Sequence, residues 1–358
     1  MSTQVGIISS GAWGTAIGKQ IAQKGIKVQM WDFMKEVVED INKNHLNSRY
    51  LPGIMLPPDL SATTDIIEAA NEKDFLIIAT PSIYLVDTVK KILEARDIRE
   101  GKTTVGIITK GFIASPSGPK LIVSTLEDYF PGFYRDNIVY IAGPSHAEEV
   151  SVNKLTGLIS ACRNGKNSIR FRELLTSPSL FVFSSIDVIG VQTCAATKNV
   201  IAIAFGMLDA LKENSDYFGD NTESLLLAAG LNEIQKIGKV LGATHPETFT
   251  SISGVGDLDV TCRSIHGRNR RFGRDIVLKN ILDQFTGIDD MINNIDKVGY
   301  LPEGAVAAKF VRQIIDQYKI KLPISNIVYN IINKDISAKD AISLLLGNTA
   351  ESMRDELV

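Results

Sequence analysis

One lysine lies alone in the most apolar stretch of the chain. Residues 188–208 contain Lys198 as their only formally charged side chain. An ammonium carried into apolar packing must find a partner, lose its proton or cost several kcal/mol. The segment therefore predicts either an amine with a chemical role or a structural lysine whose stem is buried and whose head reaches solvent.

A membrane-spanning helix is a third interpretation of the same segment. Polar side chains are most costly at the middle of a membrane, and the middle of this segment is polar. We therefore expect no stable membrane insertion. The polar residues in question are Gln192, Thr193, Thr197, Lys198 and Asn199.

A cluster of arginines marks a second candidate site. Five arginines fall within residues 263–274 of a chain whose formal net charge is −3. Guanidinium groups can hold a small phosphate in a fixed geometry, whereas a nucleic-acid-binding stripe would have aromatic residues between its basic ones. The cluster favours a small phosphorylated ligand and no nucleic acid, with a solvated basic loop as the alternative.

The N-terminus predicts a dinucleotide-binding unit. A strand ends at Ser9, Gly11 and Gly14 begin a helix, and the next strand ends before Asp32. Gly11 would let a pyrophosphate approach the backbone, and Gly14 would let the helix pack closely on the strand. Asp32 lies about twenty residues further on, where a carboxylate meets a ribose hydroxyl.

The residues after Asp32 bear on the choice of cofactor. Phe33 and Met34 follow it, so no arginine is adjacent to accept the 2′-phosphate of NADP. The pattern favours NAD, and the nearby Lys35 keeps NADP possible.

Two further strand ends carry candidate groups. Lys110 follows the apolar run 105–109, and two lysines at the cofactor cleft would suit an anionic substrate because of their positive charge. A solvated loop lysine is the alternative. Residues 143–149 combine a tight turn with the start of a helix, whose N–H groups can hold an anion or a carbonyl oxygen.

Composition and apolar spacing predict an α/β protein with two domains. With 44% hydrophobic and 22% charged residues over 358 positions, the chain can form two soluble globular cores. Strand-like runs alternate with helix-period segments up to about residue 186, and only helices follow. We expect a Rossmann-type dinucleotide-binding domain at 1–190 and an all-helical domain at 191–358. The predicted strands are 5–9, 28–31, 75–80, 104–109, 138–142, 157–162 and 181–184, and the predicted helices of the second domain are 193–212, 222–241, 270–283, 303–318, 324–333 and 337–346.

Three cysteines indicate the compartment. They are odd in number, far apart and absent from any C-x-x-C pair, so neither a disulfide framework nor a zinc knuckle is expected. No metal site is predicted elsewhere, and the N-terminus lacks the basic region of a signal peptide. The cytoplasm is the expected location. The cysteines are Cys162, Cys194 and Cys262.

Six motifs taken together resemble the NAD(P)-dependent sn-glycerol-3-phosphate dehydrogenases. Many dehydrogenases share any one of them, but the set in this order and spacing is specific, and it covers nearly the whole chain. The motifs occupy residues 10–16, 109–111, 142–145, 198–202, 256–258 and 268–271.

The resemblance implies an activity and a set of site residues. The activity is interconversion of dihydroxyacetone phosphate and sn-glycerol 3-phosphate by hydride transfer with a nicotinamide cofactor, which supplies glycerophospholipid precursors and balances redox cofactors. Lys198 would be the acid/base that protonates the carbonyl oxygen during reduction, Lys110 would polarise or position the same region, and Asp257 would orient and charge-balance Lys198. The implied substrate contacts are Lys110, Gly143, Ser145, Asn199, Thr261, Arg268 and Asn269, with the phosphate on the last two. The cofactor contacts are Ser10, Gly11, Ala12, Trp13, Gly14, Asp32, Phe33, Lys110, Ala147, Arg268 and Glu303, and we also expect a homodimer.

The chain departs from the family pattern in two places. Ser9 replaces the first glycine of the dinucleotide fingerprint, and Gly267 stands where many bacterial members have serine. Trp31 and the stretches 49–53 and 218–222 look closer to the eukaryotic NAD-preferring branch of the family.

Two other functions remain to be distinguished. A two-domain reductase of another phosphorylated or carboxylated hydroxy compound would not need Arg268 and Asn269. A non-catalytic NAD-sensing protein predicts the loss of Lys198 or Asp257, and both are present.

Overall fold

The computed structural model describes residues 3–213, 215–264, 267–300, 302–337 and 340. The chain divides into two compact units. The N-terminal unit comprises residues 1–113 and 121–191, and the C-terminal unit comprises residues 114–120 and 192–358. The helix predicted at 337–346 falls almost wholly outside the described residues.

An eight-stranded sheet forms the core of the N-terminal unit. Its strands β4, β5 and β8 are buried along their whole length, as expected for a sheet covered on both faces. The strand order is β10-β9-β8-β5-β4-β1-β2-β3, and β6 and β7 form a separate hairpin. The strands are β1 Gln4–Ile8, β2 Lys27–Trp31, β3 Leu60–Thr63, β4 Phe75–Ile78, β5 Thr104–Ile107, β6 Phe112–Ser115, β7 Gly118–Leu121, β8 Val139–Ala142, β9 Thr156–Ala161 and β10 Leu180–Ser185.

The point where the strand order reverses lies between β1 and β4. Both strands pair in parallel, so their carboxyl ends lie at the same edge of the sheet, where open α/β sheets bind ligands. Helices connect the strands and cover the sheet. They are α1 Ala12–Ala22, α2 Lys35–Glu39, α3 Ile66–Ala70, α4 Ser82–Ile92, α5 Arg96–Arg99, α6 Ile122–Glu127, α7 Ala147–Ser151 and α8 Gly165–Leu175, with a π-helical turn at Asp40–Asn44 and a 3-10 turn at Gly132–Tyr134.

The sheet differs from the predicted one in three respects. All seven predicted strands are present with ends shifted by at most two residues, but β3 and the β6–β7 hairpin were not predicted. Strand β9 runs antiparallel to β8. A parallel crossover needs a covering helix of several turns, and the link over 143–155 holds only the short α7.

The described residues of the C-terminal unit are mainly helical, and the unit also includes the hairpin residues 114–120, which fall within the range 1–190 predicted for the first domain. Of its predicted helices, 270–283 is wrong at its end, because Asn280 adopts a left-handed conformation with φ 50° and stops the helix. The helices are α9 Val188–Lys212, which begins in the N-terminal unit, α10 Asp220–Leu241, α11 Glu247–Thr250, α12 Asp257–Arg263, α13 Arg268–Lys279, α14 Ile288–Asn293, α15 Glu303–Tyr318 and α16 Pro323–Ile332, with a π-helical turn at Ile252–Gly256 and 3-10 turns at Ile281–Gln284 and Ile295–Val298.

Helix α9 packs closely against α13 in this unit. A Cβ added at Gly206 would lie 1.8 Å from the carbonyl oxygen of Arg270, and one at Gly273 would lie 2.0 Å from that of Ile203. The backbones of α9 and α13 are therefore in direct contact, which larger residues would prevent. By length and composition α9 could cross a membrane, but 94% of its apolar window is buried inside the protein, as in a core helix.

Candidate active site

Lys198 and Asp257 form a buried ion pair. Lys198 lies in the middle of α9, and its ammonium contacts the Oδ1 atom of Asp257, the first residue of α12. The two side chains are 5% and 0% exposed. A buried charge needs an opposite charge close by, and the N–H groups of the first helical turn also favour a carboxylate. The lysine singled out by its apolar surroundings is thus paired, as the family resemblance implied.

Two predicted substrate contacts lie close to this pair in the chain. Thr261 is one helical turn after Asp257, and its hydroxyl donates to the Asp257 carbonyl oxygen at 2.6 Å. Asn199 follows Lys198 on α9 and is buried. Thr261 therefore stays on the same face of α12 as Asp257 and keeps its lone pairs available.

The start of α15 joins two of the predicted residues. The N–H of Gly304 donates to Oδ1 of Asn269 at 2.8 Å. A Cβ added at Gly304 would lie 2.4 Å from the carbonyl oxygen of Asn199. Asn199, Asn269 and the neighbouring Glu303 are therefore brought together by a glycine that sequence analysis missed. Its only signal was a glycine in the first turn of a predicted helix.

Four of the five clustered arginines form ion pairs with acidic side chains. These four guanidinium groups already have partners within the protein, and the expected phosphate contact of Arg268 stays a prediction. Arg268 is the exception, since it is exposed and has no ion pair or hydrogen bond within the described ranges. The committed contacts are Arg270 with Asp209 at 2.5 and 2.9 Å, Arg263 with Asp259 at 2.7 Å and Glu223 at 3.3 Å, Arg271 with Asp275 at 3.7 Å and over the Tyr300 ring, and Arg274 with Glu213.

The glycine turn after β1 has the packing that a dinucleotide site needs. A Cβ at Gly14 would lie 2.5 Å from the carbonyl oxygen of Ser9 and 3.2 Å from the Cβ of Ala79, so the close approach of α1 to the strands requires glycine. At Gly11 the nearest atom to an added Cβ is Ser9 Oγ at 3.8 Å. Protein packing does not require glycine at Gly11, and the open space suits an approaching pyrophosphate.

Ser10 and Asp32 support this turn from inside. The Ser10 hydroxyl donates to Oδ2 of Asp32, and the N–H of Met34 donates to its Oδ1 at 2.9 Å. Ser10 is 0% and Asp32 3% exposed, so in this conformation Ser10 fixes the turn and does not present its side chain to a ligand. Asn47 was missed. Its amide donates to the carbonyl oxygen of Ser10 at 2.7 Å and to Thr15 Oγ1 at 2.8 Å.

The remaining predicted cofactor contacts of the N-terminal unit lie around α1. Ala147 is buried in a small apolar cluster with Ala16, against which Ala12 and Trp13 pack. Phe33 is 72% exposed just after β2, which leaves its ring free to stack on a planar group. These residues follow the carboxyl ends of β1, β2 and β8, at the ligand-binding edge of the sheet.

The loops after β5 and β8 carry the other predicted substrate contacts. Lys110 is half-buried and precedes Gly111, whose φ is 119°. Gly143 has φ 146°, and a Cβ there would lie 2.8 Å from the carbonyl oxygen of Gly157. The hydroxyl of Ser145 donates to the Gly143 carbonyl oxygen at 2.8 Å. In the described part of the chain, no three His, Cys, Asp or Glu side chains gather as metal ligands.

Sequence profiles and named proteins match this chain over most of its length. The sequence profile described as NAD-dependent glycerol-3-phosphate dehydrogenase N-terminus matches residues 4–168, and the C-terminus profile matches residues 187–343. A protein of Treponema denticola named glycerol-3-phosphate dehydrogenase [NAD(P)+] is 52% identical over 98% of this chain and 100% of its own length. One of Treponema pallidum with the same name is 49% identical over 96% of this chain and 99% of its own.

A solved structure is similar over the same length. The glycerol-3-phosphate dehydrogenase of Coxiella burnetii superposes with a TM-score of 0.82 and 28% identity, covering 96% of this chain and 99% of that one. The chain belongs to the NAD(P)-dependent glycerol-3-phosphate dehydrogenase family.

Proposed function

We propose that the chain interconverts dihydroxyacetone phosphate and sn-glycerol 3-phosphate, with residues 1–190 binding the dinucleotide and residues 191–358 supplying the substrate and proton-transfer groups. The observation that carries this proposal is the buried Lys198–Asp257 pair in a chain that matches the family along nearly its whole length. The activity would supply glycerophospholipid precursors and balance reduced and oxidised cofactor.

Lys198 is the proton donor of this mechanism. Reduction of the carbonyl requires a hydride at carbon and a proton at oxygen, and a nicotinamide supplies the hydride when it is bound. Asp257 is in contact with the Lys198 ammonium, and an opposite charge favours the charged form of the amine. The proton moves from Nζ to the alkoxide oxygen as the C–H bond forms, and solvent then restores the ammonium. In the oxidative direction the neutral amine accepts the alcohol proton.

Two neighbouring residues hold the substrate phosphate. Arg268 is the member of the cluster that carries no acidic partner in the described ranges, so its guanidinium is available for two parallel hydrogen bonds. Asn269 is fixed by the N–H of Gly304 on its Oδ1 atom, which leaves Nδ2 as a donor. Lys110, Gly143 and Ser145 are proposed to polarise and position the rest of the substrate.

The cofactor preferred by this chain is NAD. Gly11 and Gly14 fit a pyrophosphate at the start of α1, and Asp32 is bonded to Ser10 and Met34 without a cationic partner in the described chain. Its negative charge opposes the 2′-phosphate of NADP. Lys35 leaves NADP usable at lower efficiency.

The proposed activity also bears on the compartment, the oligomeric state and the partners of the protein. We place it in the cytoplasm, as a homodimer acting on a small phosphorylated molecule without nucleic acid or stable membrane insertion. All three cysteines are buried and none of them forms a disulfide, which suits a reducing compartment. Light scattering of the purified protein tests the dimer, and a monomer at micromolar concentration would contradict it.

A substrate panel tests the proposed function. Purified protein should oxidise NADH with dihydroxyacetone phosphate without added metal, with a higher kcat/KM than for NADPH. Unphosphorylated dihydroxyacetone and carboxylated keto acids should be poor substrates. Faster turnover of a carboxylated compound would favour a different reductase activity, and NADH binding without turnover of any compound would favour a sensing role.

A further inference from the structure

Ser9 has a backbone conformation that normally requires glycine. Its φ is 93°, a region that residues with a Cβ rarely adopt, at the position where the dinucleotide fingerprint has its first glycine. The backbone is held there from both sides. Its N–H donates to the carbonyl oxygen of Trp31 at 3.1 Å, and its own carbonyl oxygen packs against Gly14. The strain of a serine at this place is therefore fixed by the fold.

The hydroxyl of Ser9 lies over the turn that begins α1. The N–H of Gly11 donates to Ser9 Oγ at 3.4 Å, and this oxygen is the one atom within 4 Å of the place where a Cβ of Gly11 would be. Ser9 is half-buried, and within the described ranges the hydroxyl proton has no acceptor. A hydroxyl that accepts one hydrogen bond can still donate its own proton. An O–H donor is thus available at the position where the pyrophosphate would approach.

We propose that Ser9 is a ligand of the cofactor diphosphate, donating its hydroxyl proton to a phosphate oxygen. Gly11 N–H then acts through Ser9, because it polarises the hydroxyl that it donates to. A glycine would adopt the same φ without strain but would bring no hydroxyl to the phosphate. Strain kept at a binding turn is consistent with a functional gain there. The inference rests on the proposed nicotinamide cofactor.

Direct binding measurements on two variants test this assignment. Ser9→Gly removes both the strain and the hydroxyl, whereas Ser9→Ala removes the hydroxyl and keeps the Cβ. Dissociation constants are measured by fluorescence or calorimetry for NADH, ADP-ribose and adenosine, of which adenosine lacks the diphosphate. Both variants should bind NADH and ADP-ribose about five- to twentyfold more weakly, since a hydrogen bond to a charged group is lost, and bind adenosine within about twofold of wild type. Ser9→Gly should unfold at a higher temperature than Ser9→Ala.

A second strained residue provides the matched control. Glu72 has φ 55°, is exposed and lies away from the glycine turn, before β4. Glu72→Gly should raise the unfolding temperature and leave NADH binding unchanged.

Three outcomes would overturn the inference or its basis. Ser9 is not a diphosphate ligand if Ser9→Gly binds NADH as tightly as wild type, or if the variants lose as much affinity for adenosine as for NADH. In either case the proposed function stands, provided that the wild-type protein reduces dihydroxyacetone phosphate. If wild type binds no NADH, the proposed function fails together with the inference.

Discussion

The Lys198 ammonium is charge-balanced by the carboxylate of Asp257 at a place where neither side chain exposes more than 5% of its surface. Removing one partner of such a pair leaves an uncompensated buried charge, which typically costs about 3–5 kcal/mol. The acid at the start of α12 therefore stabilises the charged lysine inside the apolar helix α9. Asp257 is a positioning residue in this account, since it acts through Lys198.

Asp257→Asn should make carbonyl reduction more dependent on pH. Without the carboxylate, the buried amine loses its proton more readily, so kcat at pH 8 should fall by about tenfold or more. Activity should partly recover at pH 6, where more of the amine is protonated. A variant whose rate falls equally at every pH would indicate structural damage and not loss of charge balance.

Arg268→Ala should raise KM for dihydroxyacetone phosphate by roughly tenfold to a thousandfold, because a lost charge-assisted contact costs about 1.5–4 kcal/mol. The affinity for NADH should change less. Arg274→Ala is the control, since Arg274 is already paired with Glu213 and should have no effect on KM. Equal KM values for Arg268→Ala and Arg274→Ala would show that Arg268 is a solvated surface arginine that does not bind the substrate phosphate.

Gly304→Ala should displace the start of α15. The added Cβ would lie 2.4 Å from the carbonyl oxygen of Asn199, so the helix must move and the hydrogen bond to Asn269 must lengthen. We expect a stability loss of about 1–3 kcal/mol and a several-fold higher KM for the phosphorylated substrate. Gly219→Ala is the control, because nothing lies within 4 Å of its added Cβ. Unchanged kinetics in Gly304→Ala would show that the contact between α15 and Asn269 does not affect substrate binding.

Glu233 predicts how stability depends on pH. Its buried carboxyl on α10 accepts hydrogen bonds from the N–H groups of Ile324 at 2.6 Å and Ser325 at 2.9 Å, at the start of α16. Burial raises the pKa of Glu233 from 4.5 to about 7, although these hydrogen bonds oppose the shift. Between these two values the folded chain holds a proton that the unfolded chain has lost. The contribution of Glu233 to the free energy of unfolding should therefore be complete below about pH 4.5 and fall, by on the order of 3 kcal/mol, as the pH rises to 7.

The Glu233→Gln variant isolates this contribution, because an amide of the same shape does not titrate in this range. The difference in unfolding free energy between wild type and variant should change with pH from 4.5 to 7 and stay constant above it. A difference that is constant over the whole range would show that Glu233 is ionised in the folded protein at acidic pH.

Local patterns were enough to predict much of the fold. The sheet strands are short apolar runs bounded by turns, and Gly14 marks a close helix–strand contact that only glycine allows. Lys198 could be singled out because a charge in an apolar helix needs a partner wherever the chain folds. The antiparallel direction of β9 was missed because it depends on the length of a connection and not on the composition of the strand.

The ion-pair partners of the clustered arginines could not be predicted from the sequence. Asp209 and Glu213, which hold Arg270 and Arg274, are 61 positions away in the chain, so no local pattern distinguishes a committed arginine from an available one. Asn47 likewise supports the glycine turn from 37 positions beyond Ser10. Asp32 illustrates the same limit, because its spacing predicted a ribose contact without revealing that Ser10 and Met34 already hold both of its oxygens.

The central claim is that Lys198 transfers the proton, and the kcat of Lys198→Met tests it most directly. Methionine keeps the apolar stem and removes the ammonium, so the variant should bind NADH while kcat falls by about 10²–10⁴. Because Asp257 would then lack its cation, the double variant Lys198→Met/Asp257→Asn is measured beside it, with NADH binding as the test of folding. A folded variant that keeps more than about a tenth of wild-type turnover, an effect below ~1.4 kcal/mol, would contradict the claim.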